Sequence, residues 1–333
     1  MKICVLGSGT WGSSVAKLLS ENGNQLSLWS YFEEEAEKLR TTHKHLFLEN
    51  VEMPHDILYS SNMEECINGA EVIILATPSH TIRQTATTLS KYIKKDQIIT
   101  IISKGIEEGT FLRLSEIVEE LMPDNIVSVM SGPSHAEEVA LGLPTTNVIA
   151  CKDIAVAQKL QKAFMNDKFR IYTNSDVIGV ELGGALKNVI ALCAGVSDGL
   201  GYGDNTKAAL MTRGIAEITR LGVALGGKVE TFAGLSGIGD LIVTCTSMHS
   251  RNRRAGILIG QGKTLDEAQA EVKMVVEGVK TTLAAYGLAK KVGVEMPIVN
   301  EAYAVLFENK PALEAVNSLM TRDRSDESGK KAE

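Results

Sequence analysis

Two stretches of this chain carry residue types and spacings suited to chemistry. The first is Gly7-Ser8-Gly9-Thr10-Trp11-Gly12, entered from the apolar run Lys2-Ile3-Cys4-Val5-Leu6 and left through Ser13-Ser14-Val15-Ala16-Lys17-Leu18-Leu19. That order reads as strand, glycine turn, helix. Gly7 permits the tight turn, Gly9 lets backbone approach a pyrophosphate, and Gly12 lets helix and strand pack. The free N–H groups of the helix start then face an anion, so the expected ligand is a dinucleotide. The second stretch is the helical pattern over 180–194, where Lys187 follows Gly183 and Gly184 by four and three residues. Helical side chains lean toward the N-terminus, so Lys187 is expected over a patch without side chains, where a substrate or nicotinamide ring would fit. Asn188 adds a donor and acceptor to an otherwise apolar helix. On these residues alone, a snorkelling lysine beside a close helix contact stands equal to a catalytic one.

The elements that must hold these residues fall into two styles. Leu26-Ser27-Leu28-Trp29, Val72-Ile73-Ile74-Leu75-Ala76, Ile98-Ile99-Thr100-Ile101-Ile102, Ile126-Val127-Ser128-Val129-Met130 and Asn147-Val148-Ile149-Ala150 are short continuous apolar runs, as strands buried on both faces require. With helices expected at 81–93 and 110–121 between them, the pattern is a Rossmann-type doubly wound parallel sheet, whose ligands sit at the carboxyl ends of the strands. From about 179 the text becomes helical: Leu182, Leu186, Val189, Ile190 and Cys193 recur at three- and four-residue spacing, and Ala208, Ile215, Ile218 and Leu221 continue it. The expected architecture is a dinucleotide-binding domain over 1–178 and an all-helical substrate domain over 179–333. The boundary near 176–179 has no Pro- or Ser-rich linker, so a shared interface is expected. The charged, aperiodic tail 321–333 is expected to be disordered.

Composition narrows the classes. A net charge of −7 over 333 residues argues against a nucleic-acid surface while leaving room for an anionic substrate in a locally basic cleft. No apolar stretch is read as approaching the roughly 18 residues of a membrane span, and the N-terminus reads as a strand rather than a signal peptide, so a cytoplasmic protein is expected. Cys4, Cys66, Cys151, Cys193 and Cys245 form no C-x-x-C pair and are read as reduced structural thiols. His43 and His45 are read as a solvated loop, and no metal is expected.

Read together, four further segments carry a resemblance. They are Ser131-Gly132-Pro133-Ser134-His135-Ala136-Glu137-Glu138-Val139-Ala140, Glu181-Leu182-Gly183-Gly184-Ala185-Leu186-Lys187-Asn188, Gly199-Leu200-Gly201-Tyr202-Gly203-Asp204-Asn205 and Gly234-Leu235-Ser236-Gly237-Ile238-Gly239-Asp240-Leu241. In register from Gly7 to Glu277 the chain resembles the bacterial-type NAD(P)-dependent glycerol-3-phosphate dehydrogenases. The resemblance implies reduction of dihydroxyacetone phosphate to sn-glycerol 3-phosphate, feeding glycerophospholipid synthesis, with NAD or NADP as cofactor and a homodimeric assembly.

The same resemblance assigns residues. It makes Lys187 the proton donor and acceptor, with Asn188 beside it and Asp240 and Thr244 flanking it; read alone, Asp240 is equally a helix N-cap. Lys104 touches both cofactor and substrate, Gly132 and Ser134 bind substrate, and Ser250-Arg251-Asn252 forms the phosphate-binding segment, Arg251 reaching the cofactor as well. Arg253 and Arg254 are read as surface charges. Gly7, Ser8, Gly9, Thr10, Trp11, Gly12, Tyr31, Ala136, Val275 and Glu277 are the remaining cofactor positions, and His135 is given a packing or hydrogen-bonding role. The proton-transfer role calls for a Lys187 pKa below its free value, from burial or from a cation such as Lys104. Cofactor preference stays open: where an NAD enzyme places an acid at the end of the second strand, this chain has Ser30-Tyr31-Phe32, with Glu33 just beyond and no arginine. Two other readings remain, a hydroxy-acid dehydrogenase of the same build and a dinucleotide sensor without chemistry.

Overall fold

The computed structural model describes residues 1–323, 326 and 327. Eight strands form one sheet in the order β3-β2-β1-β4-β5-β6-β7-β8: β1 (Lys2–Leu6), β2 (Gln25–Trp29), β3 (Leu58–Ser60), β4 (Val72–Leu75), β5 (Ile98–Ile101), β6 (Val127–Ser131), β7 (Thr145–Cys151) and β8 (Phe169–Asn174). The order reverses beside β1, where β1 pairs with both β2 and β4. The apolar runs are continuous because both faces are covered: Ile3 and Val5 of β1 enter the core on one face, Cys4 and Leu6 that on the other.

Three features depart from the expected sheet. Strand β7 runs antiparallel to β6, although all other neighbours are parallel. The helix between them, Ala136–Ala140, has five residues and rises about 7.5 Å. That is too short to carry the chain back along a strand of about 16 Å, so the chain returns alongside β6 instead. Strand β8 alternates buried Phe169 and Ile171 with exposed Arg170 and Tyr172, the pattern of a one-sided edge strand. Strand β3 has only three residues. Neither is a continuous apolar run, and both escaped the reading.

Two helices are shorter than expected. A 3₁₀ turn, Ser79–Thr81, precedes Ile82–Leu89. In place of 110–121 the helix is Leu114–Leu121, because Phe111 takes a left-handed conformation and Glu107 N–H bonds the Leu112 carbonyl at 3.0 Å, closing a turn first.

The helical half is organised on one long helix, Val177–Gly199, whose start is capped by Asp176 accepting from Gly179 N–H at 2.8 Å. Its window mean hydropathy of 1.6 over a 23-residue helix meets the length and composition of a membrane span, which corrects the reading that no stretch approaches one. Here 89% of that window is buried inside the protein, so the apolarity serves a core helix. Val177 and Val180 join the core under the sheet, while Leu182, Leu186, Val189 and Ile190 join that of the helical half. The two halves therefore share an interface, as expected from the missing linker.

All five cysteines are free, four of them buried. His43 stacks on His55, and His45 is half-buried with its Nε2 2.9 Å from the Ser8 carbonyl, which replaces the solvated loop expected there. Of the tail, Arg322 pairs with Glu295 and the Glu327 carbonyl accepts from Arg213. Residues 324, 325 and 328–333, included in the expectation of disorder, lie outside the described residues.

Candidate active site

At the β1 end Gly7 has φ +126°, and a Cβ there would come within 2.8 Å of the Ala76–Thr77 backbone. Gly12, in helix α1 (Thr10–Glu21), packs so closely on the Gly7 carbonyl that a Cβ would overlap it. Gly9 has nothing within 4 Å of where its Cβ would project. Gly7 and Gly12 thus make the tight turn and the close helix packing, and Gly9 leaves open space on the cleft side. Helix α1 begins at Gly9 with no side-chain cap and no acid in its first turn, which leaves its first N–H groups for an anion. The buried indole N–H of Trp11, on the same wall, has no hydrogen-bond partner among the described residues. These features fit a dinucleotide.

The cleft measures about 400 Å³ and lies between the carboxyl ends of the strands and the helical half. Its walls bring together Gly7, Ser8, Gly9, Thr10, Trp11, Tyr31, Lys104, Ser134, Ala136, Lys187, Asn188, Thr244, Ser250, Arg251, Asn252, Val275 and Glu277. Gly12, Gly132 and Asp240 do not line it. They stand one layer back, Gly12 against Gly7, and the Gly132 carbonyl and Asp240 carboxylate beneath the lysines.

Those lysines form the polar centre. Lys187, 6% exposed, donates to Asp240 Oδ1 and to Thr244 Oγ1, the latter at 2.7 Å. Lys104 donates to Asp240 Oδ2 at 2.6 Å and to the Gly132 carbonyl at 3.1 Å. One buried carboxylate therefore holds two ammonium groups. Burial pulls the Lys187 pKa from 10.5 down to about 8; Lys104 adds to the fall and Asp240 opposes it. Asp240 makes no cap bond: it begins the helix Asp240–Thr246 directly after a π-helical turn, Leu235–Gly239, that aims its carboxylate inward.

The glycine patch beneath Lys187 is not open space. A Cβ at Gly183 would lie 2.7 Å from the Ser236 carbonyl oxygen, and one at Gly184 would overlap the Ser131 hydroxyl. Both glycines serve close packing against the π-helical turn and the end of β6, and the cleft lies beyond the lysine head instead.

Asn188 Oδ1 accepts from Asn252 Nδ2 at 2.9 Å, and Asn252 Oδ1 accepts from Gly278 N–H at 2.8 Å, which ties three helices behind the cleft. Arg251 opens the helix Arg251–Gly260, capped by Ser250 accepting from Arg253 N–H, with no acid in its first turn. A guanidinium at a helix N-terminus is a strong anion site. Burial lowers the Arg251 pKa, with Glu277 and Glu137 opposing. Arg253 is not a surface charge, and Arg254 is half-buried. Arg253 pairs with Asp198 at 2.7 Å, its side chain 13% exposed, and Arg254 Nε is buried.

The remaining positions brace the walls. Ser134 donates to the Gly132 carbonyl at 2.9 Å, and Ser14 of α1 donates to the Ala136 carbonyl at 2.8 Å. His135 Nε2 lies 3.4 Å from the Val243 carbonyl, with its pKa lowered by burial and by Lys187. Glu277 accepts from Ser79 N–H at 3.1 Å and Ser79 Oγ at 2.5 Å, linking the helical half to the loop after β4.

The reading missed several wall residues, among them His249, Met274 and Glu35. Glu35, in helix α2 (Glu33–Thr42), accepts at Oε2 from the Ser8 and Ser30 hydroxyls, each at 2.9 Å. Glu33, the acid noted beyond the strand, instead pairs with Ser61 and Arg40. The signal lay one helical turn past the strand end, where a helix folding back returns a side chain to it.

A glycine loop at the reversal of a doubly wound sheet, joined to a buried lysine and an arginine-headed helix on an all-helical domain, defines a nicotinamide-dinucleotide-dependent dehydrogenase. The family models of the NAD-dependent glycerol-3-phosphate dehydrogenase N-terminus and C-terminus match residues 2–157 and 176–317. The chain belongs to that family of NAD(P)-dependent oxidoreductases. It is 54% identical over 327 residues to glycerol-3-phosphate dehydrogenase (NAD(P)+) of Fusobacterium nucleatum, covering 97% of this chain and 98% of that one. The same identity holds for the enzyme of that name from Clostridium perfringens, at 98% and 99% coverage. Its fold matches the crystal structure of glycerol-3-phosphate dehydrogenase from Coxiella burnetii with a TM-score of 0.93 at 35% identity, covering 96% and 99% of the two chains.

Proposed function

We propose that this protein reduces dihydroxyacetone phosphate to sn-glycerol 3-phosphate, reversibly, with Lys187 as the proton-transfer residue. The observation that carries the reading is the Lys187 ammonium, buried and fixed between Asp240 and Thr244 where the dinucleotide cleft meets the Arg251 helix. A bound reduced nicotinamide supplies the hydride. As the ketone carbon gains it, charge develops on the carbonyl oxygen, and Lys187 gives that oxygen its proton. In the reverse direction neutral Lys187 takes the hydroxyl proton. Lys104 adds positive field at the same oxygen, and Asp240 and Thr244 hold Lys187 in place. Arg251, with Ser250, Asn252 and the N-terminus of its helix, holds the phosphate, and Ser134 borders the substrate with Gly132 one layer behind it. Asn188 positions Asn252.

Gly7, Ser8, Gly9, Thr10, Trp11, Tyr31, Ala136, Val275 and Glu277 form the cofactor wall, with Gly12 packed behind Gly7 and with Lys104 and Arg251 at the wall's junction with the substrate. The division of labour falls at 178/179, the sheet half holding the dinucleotide and the helical half the substrate. By the resemblance the enzyme is a cytoplasmic homodimer feeding glycerophospholipid synthesis; light scattering that gave the mass of a single chain would refute the dimer. Lys187→Met tests the central role: turnover should fall by at least roughly a hundredfold while NADH binding persists. Retained turnover would remove Lys187 from the mechanism.

A further inference from the structure

At the end of the cleft away from Lys187, three polar side chains meet. Ser8 of the glycine loop and Ser30, just past β2, lie 2.8 Å apart at their hydroxyls, and both donate to Glu35 Oε2 at 2.9 Å. Ser8 and Ser30 are buried, and Ser8 and Glu35 lie on the cleft wall with Tyr31 and Phe32. In a doubly wound sheet this is the place of the adenosine ribose, where an acid accepts from the 2′-hydroxyl. The strand end itself offers Ser30, yet the structure returns a carboxylate to the same point from the first turn of α2. Both serine hydroxyls bond Oε2, which leaves Oε1 to accept from a ribose hydroxyl.

The charge around this point is one-sided. The first turn of α2 carries Glu33, Glu34 and Glu35. Arg40, on the same helix, is spent on Glu37 and Glu33. His45 reaches the Ser8 carbonyl, and burial lowers its pKa, so it brings no charge at neutral pH. Lys38, one turn along α2, is exposed. A 2′-phosphate brings only acceptor oxygens and the same sign of charge as Glu35, with no arginine fork to receive it.

We propose that Glu35, buttressed by Ser8 and Ser30, is a specificity-determining residue that makes this enzyme select NAD(H) over NADP(H). The proposal rests on reading the Gly7–Gly12 loop as the dinucleotide site. Its test is equilibrium binding of NADH and of NADPH to the full chain by calorimetry, repeated with Glu35→Gln, which keeps the size and the serine contacts and removes the charge. The wild-type chain should bind NADH at least roughly tenfold tighter than NADPH, and the variant should narrow that ratio by a similar factor, chiefly by gaining NADPH affinity. Equal wild-type affinities would overturn the proposal without any variant, and so would an unchanged ratio in a variant that still binds NADH. Failure of the wild-type chain to bind either dinucleotide would overturn the site reading itself, and the proposal with it.

Discussion

At the scale of single residues, the proposed chemistry rests on one carboxylate, Asp240, serving two cations, Lys187 and Lys104. Asp240 keeps Lys187 charged at neutral pH against the cost of burial, and the balance sets the Lys187 pKa at about 8. In the proposed mechanism the reduction needs the Lys187 ammonium and the oxidation needs its free amine, so the two directions should respond oppositely to pH. Ketone reduction should fall as pH rises through about 8, and alcohol oxidation should rise through the same point. Asp240→Asn removes the charge that raises this pKa, so both breakpoints should move to lower pH. Profiles of kcat/KM in each direction check this, and breakpoints unmoved by the substitution would assign the titration to another group. The residue type and its need for a lowered pKa were legible in the sequence. Its surroundings were not: Gly183 and Gly184 looked like room for a ligand, and they proved to be contact points for Ser236 and Ser131. Spacing along one helix tells which residues share a face, and says nothing of what occupies that face.

At the scale of elements, Arg251, proposed to hold the phosphate, is placed by a seam of glycines. Gly195 of Val177–Gly199 and Gly256 of Arg251–Gly260 bring the two helices together backbone to backbone; a Cβ at Gly256 would overlap the Leu192 carbonyl and lie 2.8 Å from Val196 N. Neither helix can rise off the other without moving Arg251 relative to Lys187. Gly256→Ala should therefore cost about 1–3 kcal/mol, seen as a fall of a few degrees in the thermal midpoint, and should raise KM for the phosphorylated substrate. A variant with unchanged midpoint and KM would show the seam to be slack. The continuous strand runs were legible because burial on both faces demands apolar residues throughout. The alternating edge strand β8, the three-residue β3 and the antiparallel turn into β7 were not, since each is decided by neighbours and connection length rather than by its own composition.

At the scale of the whole molecule, buried polar contacts hold the sheet half to the helical half. Glu181, 4% exposed on the long helix, accepts from Ser115 N–H at 2.8 Å, Ser115 Oγ at 2.6 Å and Arg113 at 3.0 Å, at the head of Leu114–Leu121. Removing one partner of a buried pair strands the other charge, so Arg113→Met should destabilise the protein by about 3–5 kcal/mol. Thermal unfolding reads this, and a midpoint equal to that of the wild-type chain would show that the contact does not hold the halves together. A missing linker foretold the shared interface. The residues that make it, being separated by 68 positions for Arg113 and Glu181, left no local pattern to read.

The whole arrangement, dinucleotide loop, buried lysine and arginine-headed helix, has a joint consequence that one measurement reaches most directly. NADH and, separately, NADPH are mixed with the purified protein and dihydroxyacetone phosphate, with unphosphorylated dihydroxyacetone as control, and the fall in reduced-cofactor absorbance is followed. Rapid oxidation that requires the phosphate, and that Arg251→Ala slows chiefly through KM, is the predicted result. Equal rates with and without the phosphate, or no oxidation while the dinucleotide still binds, would contradict the account.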